Sequence, residues 1–288
     1  MRRTMLFLPG ASPGNILNAD AFGADSIIID LEDAVAHSEK DTARILTRNA
    51  LSALHFNAEV IVRINSLTTP FWQEDLDAVI PQKPDVIMPT KIYTADDIRT
   101  ISNYIGKIEK RCGIEEGTVK LIPLLETAGA IEHAFEIATA SPRMAGLYLG
   151  AEDLALDMKA VRTAEGYEIE YCRSRLVIAA RAAGIDALDT PYIRNIHDNE
   201  ALTRETIKVK NMGFNGKACI YPGQVETIND IFAPTREEYE NALELLTAVE
   251  KAKEQGKGVI TFRGKLVDGP VIIMAQVTVE EYEKIYGV

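Results

Sequence analysis

The chain has 288 residues, 47% hydrophobic and 26% charged, with 31 Lys and Arg against 43 Asp and Glu for a formal charge of −12. That composition is too apolar for disorder, and no run approaches the roughly 20 apolar residues needed to span a bilayer. The negative balance, with no basic block, argues against nucleic acid as a partner, while one positive pocket or bound cation would still admit a small anionic substrate.

Eight short β-type runs follow one another, at residues 5–9, 26–31, 60–65, 85–89, 119–125, 146–150, 185–189 and 217–221. Most are continuously apolar, as expected of strands covered on both faces. Helical periodicity fills most of the gaps, at 39–54, 95–110, 168–183 and 199–212. Alternation of this kind predicts a parallel sheet, and eight βα units close naturally into a (β/α)8 TIM barrel of about 250 residues. An open doubly wound sheet is the alternative, but the G-x-G-x-x-G nucleotide fingerprint is absent. After Tyr221-Pro222 the pattern changes. Thr235, with Glu238 three residues on, predicts a capped helix over 237–255. Gly256-Lys257-Gly258 breaks it, a small hairpin turns at Arg263-Gly264, and a last helix lies near 279–285. Residues 1–233 are therefore expected to form the barrel and 234–288 an appendage. The apolar core at Leu6-Phe7-Leu8 is too short for a secretory signal, and Cys112, Cys172 and Cys219 form no C-x-x-C pair, which fits a cytoplasmic protein.

The runs end in ionisable residues, and in a parallel barrel such ends converge on one rim, where active sites are built. Asp30, Glu32 and Asp33 close the second run, Arg63 lies in the third, and Lys91 follows the fourth. Glu126 follows the fifth, Gly150-Ala151-Glu152-Asp153 the sixth, and Asp189 ends the seventh. Glu126 and Asp153 end adjacent strands. Two carboxylates with no Cys or His nearby suit a hard cation, Mg²⁺ first and Mn²⁺ second. A general acid–base pair, or a helix cap at Asp153, would use the same residues. Gly150 and Ala151 are small enough for backbone N–H groups to approach a substrate carboxylate. Arg63, inside an apolar strand, needs a carboxylate from Asp30 or Asp33. It is then either a rim ion pair or a group that stabilises an anionic oxygen during reaction. His37, His55, His133 and His197 show no ligand spacing, and Trp72 and the tyrosines read as packing residues.

Several blocks together carry a resemblance: Leu6-Phe7-Leu8-Pro9-Gly10, Ile29-Asp30-Leu31-Glu32-Asp33-Ala34-Val35, Val62-Arg63-Ile64-Asn65, Gly150-Ala151-Glu152-Asp153, Gly213-Phe214-Asn215-Gly216-Lys217 and Gly264-Lys265-Leu266-Val267-Asp268-Gly269-Pro270. In this order they resemble the citrate lyase β-subunit (citryl-thioester lyase) branch of the HpcH/HpaI-type aldolase superfamily. Pro89-Thr90-Lys91, Ile220-Tyr221-Pro222 and Gly14 depart from its usual pattern. The resemblance implies a barrel with a C-terminal lid, Mg²⁺ held by Glu126 and Asp153, and Arg63 on a substrate or enolate oxygen. It implies cleavage of a citryl thioester, on coenzyme A or an acyl-carrier protein, by a homo-oligomer working with α and γ subunits. Asp268, from a lid closing over a neighbouring subunit, would supply the acid–base group that the rim lacks. Malyl-CoA or methylmalyl-CoA cleavage, a related condensation, or a non-catalytic carrier-binding role are the alternatives.

Overall fold

The computed structural model describes residues 1–254 and 260–288, so the break read at Gly256-Lys257-Gly258 lies outside the described residues. The chain divides into two compact units, Met1–Asn229 and Asp230–Val288. Among the described residues, no helix is long and apolar enough to cross a membrane.

In the first unit, nine parallel strands form one curled sheet: β1 (Thr4–Pro9), β2 (Ser26–Asp30), β3 (Glu59–Ile64), β4 (Val86–Pro89), β5 (Lys120–Leu121), β6 (Leu124–Leu125), β7 (Gly146–Leu149), β8 (Asp186–Asp189) and β9 (Gly216–Cys219). Their order is β5-β4-β3-β2-β1-β9-β8-β7-β6. β5 and β6 are two pieces of the single run expected at 119–125. Pro123 lies between them and has no N–H to give the ladder. Lys120 and Leu121 pair with β4, whereas Leu124 and Leu125 pair with β7. The sheet thus returns on itself as an eight-run barrel, as the sequence pattern predicts.

All five residues of β2 are buried, which explains its unbroken apolar run: helices cover one face and the barrel interior the other. The interior holds Met5, Ile28, Ile61, Met88, Tyr148 and Leu188 among its side chains. The helix Ala95–Cys112 shows how the outer layer forms. Thr94 and Asp97 make a reciprocal capping box, and Gly113 stops the helix with φ 67°. Ile98, Ile101, Ile105 and Ile108, all buried, fall on one face at helical spacing. Each contributes roughly 1.5–3 kcal/mol relative to exposure.

In the second unit, β10 (Ile260–Phe262) and β11 (Lys265–Val267) form an antiparallel hairpin. Arg263 and Gly264, at φ 48° and 79°, supply the two left-handed residues of its tight turn. Thr235 and Glu238 cap the helix Arg236–Glu254 as expected. The last helix is a correction. It runs Gly269–Tyr286, starting ten residues before the expected 279. Asp-Gly-Pro reads as a turn, but Asp268 is the N-cap and Pro270 sits in the first turn, where its missing N–H costs nothing.

Candidate active site

The site is built where β2, β3 and the segments after β4, β6 and β7 end. Asp30 and Arg63 occupy paired positions in the β2–β3 ladder. Arg63 donates to both Asp30 oxygens, Nε at 2.7 Å and Nη2 at 2.5 Å. The backbone N–H groups of Glu32 and Ala34 donate to the same carboxylate at 2.8 and 3.0 Å, which fixes its plane. Nη1 of Arg63 lies 3.3 Å from Glu32 and 4.0 Å from Asp33, and the guanidinium stacks 5.0 Å from the Phe7 ring centre. Burial opposes the charge, yet the bond to Asp30 and the charges of Asp30, Glu32 and Asp33 together outweigh it and hold the Arg63 pKa above its ordinary value. The expected partner Asp30 is therefore the main one, with Asp33 at the edge. Burial pushes the Glu32 carboxyl up, opposed by Arg63 and by Lys91, whose Nζ lies 3.2 Å away.

Lys91 acts on the other side of the site through its backbone. Its φ of 52° is in the left-handed region, unusual for a residue with a Cβ. That turn aims its N–H at Glu126 Oε1, 2.6 Å away. Burial, then the hydrogen bond and charge of Asp153, push the Glu126 pKa up to about 8 against the pull of this amide. Gly150 makes the close approach possible. A Cβ there would stand 2.7 Å from Glu126 Cβ and 3.2 Å from Oε2. Above these groups opens a cavity of about 210 Å³, bordered by Phe7, Arg63, Glu126, Tyr148, Gly150 and Asp153. The two carboxyl groups fit a hard divalent cation, whose charge would offset the burial and the Asp153 repulsion that raise the Glu126 pKa. Among the described residues, no cluster of three His, Cys, Asp or Glu could hold a metal, so substrate or water oxygens would complete such a shell.

Residues 3–222 match the HpcH/HpaI aldolase/citrate lyase family. The chain belongs to this family. A citrate lyase subunit beta of Leuconostoc mesenteroides subsp. cremoris is 44% identical over 277 residues, covering 96% of this chain and 91% of its own length. A (3S)-malyl-CoA thioesterase of Cereibacter sphaeroides (strain ATCC 17025 / ATH 2.4.3) is 34% identical, covering 98% and 95%. The CitE protein of Mycobacterium tuberculosis, in complex with magnesium, acetoacetate and coenzyme A, superposes with a TM-score of 0.79 at 29% identity, covering 97% of each chain.

Membership in the family agrees with the motif resemblance, but the expected site residues do not all gather on the cavity. Asp189 is wholly buried in an ion cluster. It accepts from Arg173 Nε at 2.9 Å and from Lys217 Nζ at 2.8 Å. Despite burial, these two cations hold its pKa below the ordinary value. Lys217 also donates to the Thr190 carbonyl at 2.6 Å, and Thr190 borders the cavity, so Asp189 supports the rim from below. Gly150 does not offer its N–H to an anion, because that group donates to the Leu125 carbonyl at 2.9 Å. Its contribution is the missing Cβ. The Ala151 N–H faces the Thr190 hydroxyl at 3.4 Å. Asp268 belongs to the second unit, is exposed, and accepts from the Val271 N–H at 3.3 Å. Tyr148 reads in the sequence as a packing residue, and Thr190 carries no signal there beyond its position just past an acidic strand end.

Proposed function

We propose that this chain is a Mg²⁺-dependent carbon–carbon lyase that cleaves a citryl thioester, on coenzyme A or an acyl-carrier protein, into oxaloacetate and an acetyl thioester. One observation carries the reading: a buried carboxyl, Glu126, and the half-buried Asp153 share a small cavity with a guanidinium locked in its charged form. The relatives named citrate lyase subunit beta, and the magnesium and coenzyme A bound by the CitE neighbour, support it.

Glu126 and Asp153 would hold Mg²⁺, with Mn²⁺ as a substitute. Bound there, the cation supplies a Lewis acid that acidifies the substrate's tertiary hydroxyl. The hydroxyl would pass its proton to the Asp268 carboxylate, the adjacent C–C bond would break to leave a keto group, and the electron pair would depart on the thioester as an enolate. Arg63 faces that charge. Nε and Nη2 are committed to Asp30, whereas Nη1, 3.3 Å from Glu32 and 4.0 Å from Asp33, is the donor left to face the enolate oxygen. The carbon then takes a proton, for which Asp268 is the proposed acid. The natural assembly would be a cytoplasmic homo-oligomer receiving citrate through α and γ subunits.

The direct test is oxaloacetate release from citryl-CoA with and without Mg²⁺. Release only with Mg²⁺ is expected, and none under either condition overturns the reading. Malyl-CoA and methylmalyl-CoA belong in the same panel, because a relative at 34% identity is a (3S)-malyl-CoA thioesterase. A non-catalytic carrier-binding role is disfavoured by the intact set of Arg63, Glu126 and Asp153.

For Asp268, mixing Asp268→Asn protomers with Glu126→Gln protomers, each inactive alone, is expected to restore partial activity once subunit exchange is verified. Such recovery is possible only if the acid acts on a neighbouring copy's barrel. A fully active Asp268→Asn enzyme would leave Asp268 with its cap role alone, worth about 1 kcal/mol of stability.

A further inference from the structure

Tyr148 lies on β7 in the sheet interior, between apolar neighbours and edge-on to Phe7 with ring centres 6.1 Å apart. It is 2% exposed, and its sequence context reads as packing. Packing does not explain the hydroxyl. Among the described residues, that oxygen is buried and has no hydrogen-bond partner. Of the four side chains with such an orphaned atom, Tyr148 is the one that borders the catalytic cavity; Arg44, Thr47 and Gln224 do not.

A buried hydroxyl without a partner forfeits its bonds to water and gains nothing in return. Phenylalanine would fill the same space without that loss. Arg63, Asp189 and Glu126 all act electrostatically on the phenol, placing it among the charged groups of the site. Burial pushes its pKa well above the ordinary value, so at neutral pH it keeps its proton and has that proton to donate to an acceptor. The acceptors that enter this cavity in the proposed reaction are the thioester oxygen, which Arg63 serves, and the oxygens of the keto-acid half of the substrate, which are left for the phenol.

We infer that Tyr148 is a substrate-binding residue whose hydroxyl donates a hydrogen bond to a carboxylate or carbonyl oxygen of that half. The inference rests on the lyase reading and deepens it, because it adds a neutral donor beside the guanidinium and the carboxyl pair.

The test is Tyr148→Phe in the full-length protein with Mg²⁺, a change that removes one oxygen. Three quantities decide it: the melting temperature of the ligand-free protein, the Kd of oxaloacetate by calorimetry, and the Kd of acetyl-CoA. The expected result is an unchanged or higher Tm, an oxaloacetate Kd raised about 10- to 100-fold, and an unchanged acetyl-CoA Kd. An oxaloacetate Kd equal to the parent's overturns the assignment. So does a lowered Tm or failure to fold, since the hydroxyl would then have an internal partner such as a trapped water. A parent protein that cleaves no citryl or malyl thioester overturns the lyase reading instead, and the two failures are separate measurements.

Discussion

Glu126→Gln or Asp153→Asn is expected to abolish Mg²⁺-dependent turnover and to weaken Mg²⁺ binding by more than about 100-fold, while the barrel stays folded. Changes one shell further out already cost about 10- to 100-fold in metal affinity, so loss of a direct ligand should exceed that. The protonation of Glu126 adds a second signature. With its pKa raised from 4.5 to about 8, the carboxyl still carries its proton at pH 7 in the metal-free protein. A cation can only take the ionised form, so binding at pH 7 should release close to one proton. Calorimetry in buffers of different ionisation enthalpy measures that proton directly, and Glu126→Gln should eliminate it. The same protonation should show in stability. Between pH 4.5 and about 8 the unfolded chain has lost this proton and the folded chain has not. The metal-free protein should therefore lose stability as pH rises through that window, by about 1.4 kcal/mol per unit at most. Glu126→Gln should flatten the slope and melt higher than the parent at pH 8 without metal. Parental Mg²⁺ affinity in both variants would remove these residues from the metal site.

This pair stands out in the sequence and its supports do not, for one physical reason. Carboxylates at the ends of continuously apolar runs are conspicuous because nothing in a buried strand calls for them, and the parallel barrel brings such ends together whatever the intervening sequence. The Asp30–Arg63 fork was legible for the same reason, since an arginine within Val62-Arg63-Ile64 requires a neighbouring anion. Lys91 was legible only as a charge. Its decisive act is a backbone N–H turned to Glu126 by a φ of 52°, and the local sequence Pro89-Thr90-Lys91 carries no glycine to announce it.

Asp189 shows the opposite error of emphasis. Its place at a strand end looked the same as that of Asp30, but its partners Arg173 and Lys217 come from a helix 16 residues before it and a strand 28 residues after it. Pairing at that separation is a property of the closed barrel, and neither neighbour announces it locally. Tyr148 was hidden more thoroughly, because its ring does what the apolar pattern says and only the tip of the side chain departs from it. The last helix was obscured by composition: Val271-Ile272-Ile273 is β-branched, and the Asp-Gly-Pro before it has the signature of a turn until the cap bond from Asp268 is seen.

Arg63→Lys is expected to lower kcat by about 10²- to 10³-fold, the usual loss when one donor to a developing oxyanion is removed. The lysine keeps the positive charge, and Asp30 keeps its bonds from the Glu32 and Ala34 amides, so stability should change little. What disappears is the planar fork: one ammonium cannot hold both oxygens of Asp30 and still present a fixed donor toward the cavity. Structural and chemical roles are then separated by two further variants. Arg63→Met leaves Asp30, 1% exposed, as an uncompensated buried charge, and should cost about 3–5 kcal/mol. Arg63→Met with Asp30→Asn removes both charges and should recover much of that stability, as chemical denaturation would show. Turnover should remain lost in the double variant, because no donor is left at the enolate oxygen. Near-parental kcat in Arg63→Lys, or recovery of kcat along with stability in the double variant, would make Arg63 a rim ion pair and nothing more.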